Sequence, residues 1–242
     1  LASLTSLSLG DNQLTALQSN FVDLTALETL VISENQMTTL PDGISDMVGL
    51  KTLIATDGDL TTLPDAIGDL AALETLSLST NLLTALPATM SDLVALKTLN
   101  VLSNDVTALP AGMSLMTALE SVRAESNALT ALPTGLSELA ALTELGLTDN
   151  AIDQTIPAEL ADLASIETLR LAFNAFKGQL PDSFSRFTVA QSGTAKEGKL
   201  TELTLNDNSL HGFVPSFVGS WPADYANFTS SWENNIWWCP IA

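Results

Sequence analysis

The chain of 242 residues has few of the residue types on which catalytic and metal sites usually depend. It contains one cysteine and one histidine, and its 8 Lys+Arg stand against 28 Asp+Glu, a formal net charge of −20. One cysteine excludes an internal disulfide and a cysteine-based zinc site. The shortage of bases argues against nucleic acid and against an anionic membrane surface, because both are bound through clustered Lys and Arg. No run of 18 apolar residues is present, so nothing predicts direct membrane insertion.

The sequence also lacks the motifs of common enzymes. The single histidine, His211, has no G-x-S-x-G nucleophile motif to accompany it, and no H-E-x-x-H or phosphate-binding loop occurs. The stretch Thr56-Asp-Gly-Asp59 resembles the start of a calcium loop, but the remaining ligand spacing and the terminal Glu are missing. We therefore expect no enzyme activity, no cofactor and no metal.

Leucine, in contrast, is abundant and periodic. There are 44 leucines, and the frame L-x-x-L-x-L-x-x-N-x-L fits nine copies. These copies begin at Leu4, Leu27, Leu50, Leu73, Leu96, Leu119, Leu142, Ile166 and Leu200. The steps between them are 23 residues six times, then 24, then 34, and the last step is one 24-residue unit plus ten inserted residues. A unit of this size cannot bury its own apolar face, so the period predicts a stack of units with a continuous core.

Each unit reads as one strand followed by a return segment. The alternation L-x-L predicts a short strand with one buried face, near 7–9 in the first copy and at 30–32, 53–55, 76–78, 99–101, 122–124, 145–147, 169–171 and 203–205 in the others. The asparagine after the strand is predicted to bond the backbone of its own turn and of the next one, which would form a structural ladder. Its members are Asn12, Asn35, Asn81, Asn104, Asn127, Asn150, Asn174 and Asn208, with Gly58 in place of Asn in the third copy.

The return segment reads L-x-x-L-P followed by I-x-x-L-x-x-L, as in Leu60 to Leu73. Proline suits an outer turn because it fixes φ and has no N–H, and the spacing after it predicts a short α or 3₁₀ turn. Together these features resemble the leucine-rich repeat family over residues 1–218. Most copies resemble its short 23-residue class, whereas Phe176-Lys-Gly-Gln-Leu-Pro181 and Leu210-His-Gly-Phe-Val-Pro215 resemble plant-type 24-residue repeats. The resemblance implies an α/β solenoid, a curved stack with a parallel β-sheet on its concave face and short helical or 3₁₀ turns on its convex face.

Two segments depart from the period. Residues 188–199, the stretch that contains the insertion, are rich in Gly, Ser and Lys and are typical of a surface loop, which could be either a docking loop or a neutral insertion. Residues 219–242 contain all four tryptophans, Trp221, Trp232, Trp237 and Trp238, and are predicted to cap the last repeat, although an exposed aromatic anchor is the alternative. The same segment holds Cys239 and the only N-x-[ST] sequon, at Asn227, which is a candidate glycosylation site.

Candidate binding residues are those that point to the concave face between the buried strand positions. These columns are mostly Ser and Thr, a composition that strand formation and solubility alone would also favour. Interaction sites are usually enriched in aromatic residues and Arg. The candidates for partner binding are therefore Arg123, Arg170 and Phe173, flanked by Leu102 and Glu125.

Three functions are compatible with these features. The family resemblance favours a non-enzymatic protein-protein interaction module that binds a protein or peptide, as part of a larger receptor-like, secreted or lumenal assembly. The alternative is a structural scaffold subunit that binds other subunits through its flanks and C-terminal cap. A remote alternative is binding of a repetitive surface, glycan or ice, by the Thr column, which Glu144 and Glu202 interrupt. The compartment stays open, with an extracellular or lumenal location favoured over the cytoplasm.

Overall fold

The computed structural model describes residues 3–18, 21, 23–187, 200–212 and 234–237, without the side chains of 236 and 237. Nine short strands form one parallel sheet in chain order, broken only where β9 joins a second sheet. The strands of the large sheet are β1 Ser6–Ser8, β2 Thr29–Val31, β3 Thr52–Ile54, β4 Thr75–Ser77, β5 Thr98–Asn100, β6 Ser121–Arg123, β7 Glu144–Gly146, β8 Thr168–Arg170 and β10 Glu202–Thr204. The predicted parallel solenoid is confirmed, with each strand beginning one residue earlier than expected.

The sheet keeps one register throughout. Equivalent residues of neighbouring copies lie opposite each other, so that Thr52 pairs with Thr75 and Gly146 pairs with Arg170. In the large sheet, the middle residue of every strand from β2 onward is buried. The residues on either side of it are half-buried or exposed in nearly all of these strands. The leucine frame therefore forms the core, and the first and third residues of each strand form the concave face.

The return segments are 3₁₀ helices. They span Asp42–Asp46, Asp65–Asp69, Ala88–Asp92, Met113–Leu115, Leu136–Glu138, Ala158–Asp162 and Asp182–Phe187. A proline caps four of them, and Pro41 and Pro64 have φ of −68° and −70°, values that the pyrrolidine ring imposes. Each helix buries at least one apolar residue in the core, such as Ile44, Ile67 or Met113.

The side-chain amides of the asparagines bond their own turn and the preceding repeat, not the next repeat as predicted. Their backbone N–H groups do reach the next repeat, as in Asn104 N to Ser126 O at 3.2 Å. Asn104 Nδ2 lies 3.0 Å from the carbonyl oxygens of Leu78 and Val101, and its Oδ1 accepts the N–H of Leu83 at 3.0 Å. The side-chain amide of Asn12 has no preceding repeat among the described residues, is exposed, and bonds only the carbonyls of Leu9 and Gly10.

Gly58 interrupts this row. By the period, an Asn side chain at 58 would accept the N–H of Met37, for which the described residues provide no hydrogen-bond partner. A cavity of about 10 Å³ lies there, lined by Ile32, Met37, Gly58 and Asn81 among others. The third copy is therefore the one place where the amide row lacks a member.

A second row of backbone hydrogen bonds runs along the edge of the stack beyond the asparagines, and we call it the lateral ladder. Its bonds include Gln36 N to Leu14 O (2.9 Å), Leu82 N to Leu60 O (2.9 Å), Ala128 N to Val106 O (3.0 Å) and Ser209 N to Phe176 O (2.8 Å). At its C-terminal end the ladder becomes a three-stranded parallel sheet of β9 Lys177–Gly178, β11 Ser209–Gly212 and β12 Ile236–Trp237. Neighbouring repeats are thus joined along two lines.

Residues 234–237 continue the repeat geometry into the segment predicted as a cap. Asn235 Oδ1 accepts the N–H of Leu210 at 3.0 Å and its Nδ2 donates to the carbonyl of Leu205 at 2.9 Å, the contacts that the earlier asparagines make. Asn234 has φ +57°, as does the residue before each earlier member of the row within a few degrees. The loop 188–199, Asn227, Cys239 and the tryptophans other than Trp237 lie outside the described residues.

Candidate functional site

The concave face changes composition along the sheet while its frame stays constant. From β2 to β5 its first column is Thr29, Thr52, Thr75 and Thr98. From β6 onward charged residues enter: Arg123, Glu125, Glu144, Arg170 and Glu202. Because the buried frame positions stay apolar, with Val122 and Ala124 in place of Leu in the sixth copy, the new residues meet no requirement of the core.

Arg170 joins three of the glutamates. Its Nε and Nη2 bond both carboxylate oxygens of Glu202 at 2.8 and 2.9 Å, and its Nη1 bonds Glu144 Oε1 at 2.7 Å. The Nη1 atom also lies 3.8 Å from Glu125 Oε1. Sequence reasoning offered Arg170 as an anchor for a partner, but most of its donors are used within the chain. Its role in this structure is to hold the carboxylates together.

This network shifts the pKa of two of its members. The hydrogen bond to Glu202 raises the pKa of Arg170 despite the opposing effect of burial. Burial would raise the pKa of Glu144, but the Ser121 hydroxyl, the hydrogen bond from Arg170 and the charges of Arg170 and Arg123 together lower it. Both groups are therefore held in their charged forms.

The side chain of Glu125 lies against the neighbouring strand of the concave face, at Gly146. It is 9% exposed, and its carboxylate occupies the space above Gly146, where an added Cβ would lie 2.1 Å from Glu125 Oε1. Gly146 is the only glycine in its column, between Arg123 and Arg170 in the register. Its missing side chain makes room for the carboxylate of the preceding repeat.

The remaining predicted residues lie around this group. Arg123 is exposed at the end of β6, and no ion pair involves it in the part of the chain that the structure describes. Phe173 is 51% exposed at the corner after β8 and has φ +53°, an unusual conformation for a bulky residue. Leu102 is half-buried after β5, one repeat before Glu125. The structure thus brings Glu125 and Arg170 together and leaves Arg123 and Phe173 open.

Sequence reasoning missed Glu144 and Glu202 as members of the site and treated them as breaks in a Thr column. The signal was present in the register. The two glutamates occupy the same column on either side of Thr168, and Arg170 lies in the next column between them. An arginine flanked in this way can reach both carboxylates, because neighbouring strands are about 4.8 Å apart.

The described residues offer little for other chemistry. None of their His, Cys, Asp and Glu side chains form a group of three able to hold a metal ion. Over the same residues, no helix has the length and apolarity needed to cross a membrane. His211 lies exposed on β11, in the second sheet and not on the concave face.

Stacked coils with buried leucines and a row of backbone-bonded asparagines define a leucine-rich solenoid. The chain is a leucine-rich repeat protein: one Leucine rich repeat model matches residues 2–60, and a second matches residues 165–187 and 199–221. The finer division into 23-residue and plant-type repeats remains a prediction.

Solved structures of the same architecture exist. A leucine-rich repeat protein from Leptospira interrogans is 27% identical, with a TM-score of 0.68 over 91% of this chain and 59% of that chain. The Arabidopsis receptor kinase HAESA, solved with the peptide hormone IDA and a co-receptor, is 28% identical, with a TM-score of 0.77 over 89% of this chain and 36% of that chain. A TDR receptor at 23% identity has a TM-score of 0.78 over 97% of this chain and 38% of that chain, a likeness of fold alone.

The chain therefore spans less than two thirds of each of these three proteins. No curated protein matches it.

Proposed function

We propose that the chain is a non-enzymatic recognition module that binds a protein or peptide on its concave face, across β6, β7, β8 and β10. The observation that carries the proposal is the change in that face over a constant frame. Small hydroxyl residues of β2 to β5 give way to Arg123, the Arg170 network and the exposed Phe173. Arginine and aromatic residues are the types most enriched at binding hot spots.

The structural neighbours support the same class of partner. HAESA was solved in complex with a peptide hormone, and its repeats share the fold of this chain at 28% identity. A receptor-like, extracellular or lumenal assembly is the setting in which we expect this module to act. The chain spans about a third of HAESA.

Peptide display tests the proposal directly. Panning a random library against the intact chain should select binders, and hydrogen exchange should then show protection in β6, β7, β8 and β10. The double variant Arg123→Ala with Phe173→Ala should weaken a selected binder by about 2 kcal/mol or more if the two are anchors. The matched control is Thr29→Ala with Thr52→Ala on the same face, which should change binding little.

A larger loss from the threonine pair would contradict the assignment. Protection confined to the convex side, or to the three-stranded sheet of β9, β11 and β12, would favour the scaffold function instead.

The compartment has its own test. If the chain passes through the secretory route, Asn227 is expected to carry a glycan, because Asn227-Phe228-Thr229 is its only sequon. Mass spectrometry of native material reads this peptide directly. An unmodified peptide would argue for the cytoplasm or for an organelle lumen without glycosylation.

A further inference from the structure

Glu125 contains the most anomalous polar atom on the concave face. Its Oε2 is buried and has no hydrogen-bond partner, although the residue is 9% exposed. Buried polar atoms are nearly always hydrogen-bonded, and burying an unpaired charge is costly. The nearest cation, Arg170, lies 3.8 Å from the other oxygen, beyond hydrogen-bond distance.

The surrounding charges do not satisfy Glu125. Arg170 already bonds Glu202 through two donors and Glu144 through a third, all at 2.7 to 2.9 Å. One arginine thus serves three carboxylates, and Arg123, the other base of this face, is exposed at its edge. The group as a whole keeps an excess of negative charge on a chain of net charge −20.

The position of Glu125 is built into the fold and is not an accident of a flexible side chain. Gly146 leaves the space that the carboxylate fills, since any Cβ there would lie 2.1 Å from Glu125 Oε1. On the far side of Arg170, Thr204 has a buried hydroxyl that also lacks a partner. Two unpartnered polar atoms therefore flank the same arginine.

An exposed ring lies at the same edge of the sheet. Phe173 occupies the corner position immediately after Ala172, and Ala172 is the equivalent of Glu125 two repeats later. An aromatic face attracts cations and packs against the aliphatic stem of Lys or Arg. A carboxylate and a ring at one edge suit a side chain with an apolar stem and a cationic head.

We infer that this group of residues, which we call the Glu125 site, receives an arginine or lysine side chain of the partner. The inference rests on the proposed function and names the chemistry of its ligand. The incoming cation bonds the Glu125 carboxylate, which must turn outward to meet it because Oε2 is buried in the free chain. The stem of the cationic side chain lies toward Phe173. Charge complementarity favours a basic peptide segment as the occupant, because the face that surrounds the site is acidic.

The test uses two random dodecapeptide libraries that differ only at a fixed central residue. This residue is arginine in one library and its neutral isostere citrulline in the other. The intact chain should retain the arginine library roughly tenfold better at physiological salt, a difference of about 1.4 kcal/mol. The variant Glu125→Gln should lose this preference. Gly146→Ala should lose it too, because the new methyl group displaces the carboxylate without changing any charge.

The matched control is Glu138→Gln, which removes one exposed negative charge on the convex side. It should keep the preference, whereas equal preference in all variants would overturn the inference and indicate attraction by net charge alone. Thermal melting gives a second readout: Glu125→Gln should melt at the same or a higher temperature, since it removes a buried carboxylate that has only the 3.8 Å ion pair with Arg170 and no hydrogen bond to Oε2. A clearly lower melting temperature would show that Glu125 is already satisfied within the fold.

Other outcomes separate the inference from the proposed function. Binders that protect β6, β7, β8 and β10 but carry no Lys or Arg, and whose affinity does not change with Glu125→Gln, would overturn the inference and leave the proposed function standing. No protection of the concave face by any binder would overturn both. Spermidine or calcium ions bound at Glu125 as tightly as a selected arginine peptide would replace the peptide as occupant and overturn its assignment.

Discussion

The repeats up to β5 and those from β6 onward share one interior and differ on the face that they present. In both regions, from β2 onward, the middle strand residue is buried, the register is unbroken and a residue with positive φ follows the strand. On the concave face, threonines at one end are replaced by arginines and glutamates at the other. The comparison separates positions that maintain the solenoid from positions that are free to acquire a function.

Truncating a buried frame leucine should cause the largest loss of stability, and the loss should be the same in both regions. Leu76→Ala in β4 and Leu145→Ala in β7 each remove a fully buried side chain from equivalent positions of the frame. Each should lower the free energy of unfolding by about 2–5 kcal/mol, through lost burial and the cavity left behind. Chemical denaturation of the two variants measures it, and a loss in one region alone would break the claim of a shared interior.

The asparagine row should distinguish the middle of the stack from its edge. Asn104→Ala removes an amide that bonds three backbone groups at 3.0 Å in two repeats, and it should cost about 1–3 kcal/mol. Asn12→Ala removes an exposed amide that bonds only its own turn and should cost less. Equal shifts in the melting temperatures of the two variants would contradict this reading.

Filling the gap in that row should stabilise the protein. Gly58→Asn supplies the missing acceptor for Met37 N–H and should add about 1 kcal/mol, the net value of one buried hydrogen bond. The new Cβ would lie 3.1 Å from Asn81 Oδ1 and 3.2 Å from Asn35 O, so those groups must move slightly. Gly58→Ala is the control, because it makes the same contacts without the amide. If the free energy of unfolding of Gly58→Asn were no higher than that of Gly58→Ala, this interpretation would be contradicted.

The smallest expected effect is a pH dependence confined to the charged region. Since the folded pKa of Glu144 is lowered, its contribution to stability is present above the unfolded value of about 4.3 and is lost as the pH falls through the folded pKa. The difference in melting temperature between the parent and Glu144→Gln should therefore be largest at neutral pH and vanish in acid. Thr75→Val, at the equivalent position of β4, should show a pH-independent difference.

The fold could be predicted closely because the information is repeated nine times. Alternating leucines fix the buried face, and the 23-residue period fixes the register, so even the strand bounds differ by only one residue. The hydrogen bonds of the large sheet continue for a residue past the end of each assigned strand. In the first copy, the N–H of Leu9 lies 2.8 Å from Val31 O, before the chain turns at Asp11 with φ +55°. The direction of the asparagine bonds was wrong, because a one-dimensional pattern does not indicate to which side a turn folds back.

The site could be predicted only in part, since its features occur once. Arg123 and Phe173 stand out by residue type, but the engagement of Arg170 depends on side-chain reach across three strands. Gly146 carried no signal as a binding residue, because its contribution is the space that it leaves for Glu125. Sequence indicates which residue types are present, whereas competition among several carboxylates for one guanidinium is settled only in three dimensions.

The lateral ladder has a mechanical consequence. A repeat bonded to its neighbour along a single line could rotate about that line, whereas bonding along two separated lines resists this rotation. Each coil is joined to the next both through the large sheet and through the lateral ladder, as in the bonds at Leu14 and Phe176. We therefore expect the stack to resist bending between neighbouring coils. Its curvature is therefore set before any partner arrives. A partner must match that curvature, and little ordering of this chain is left to oppose the encounter.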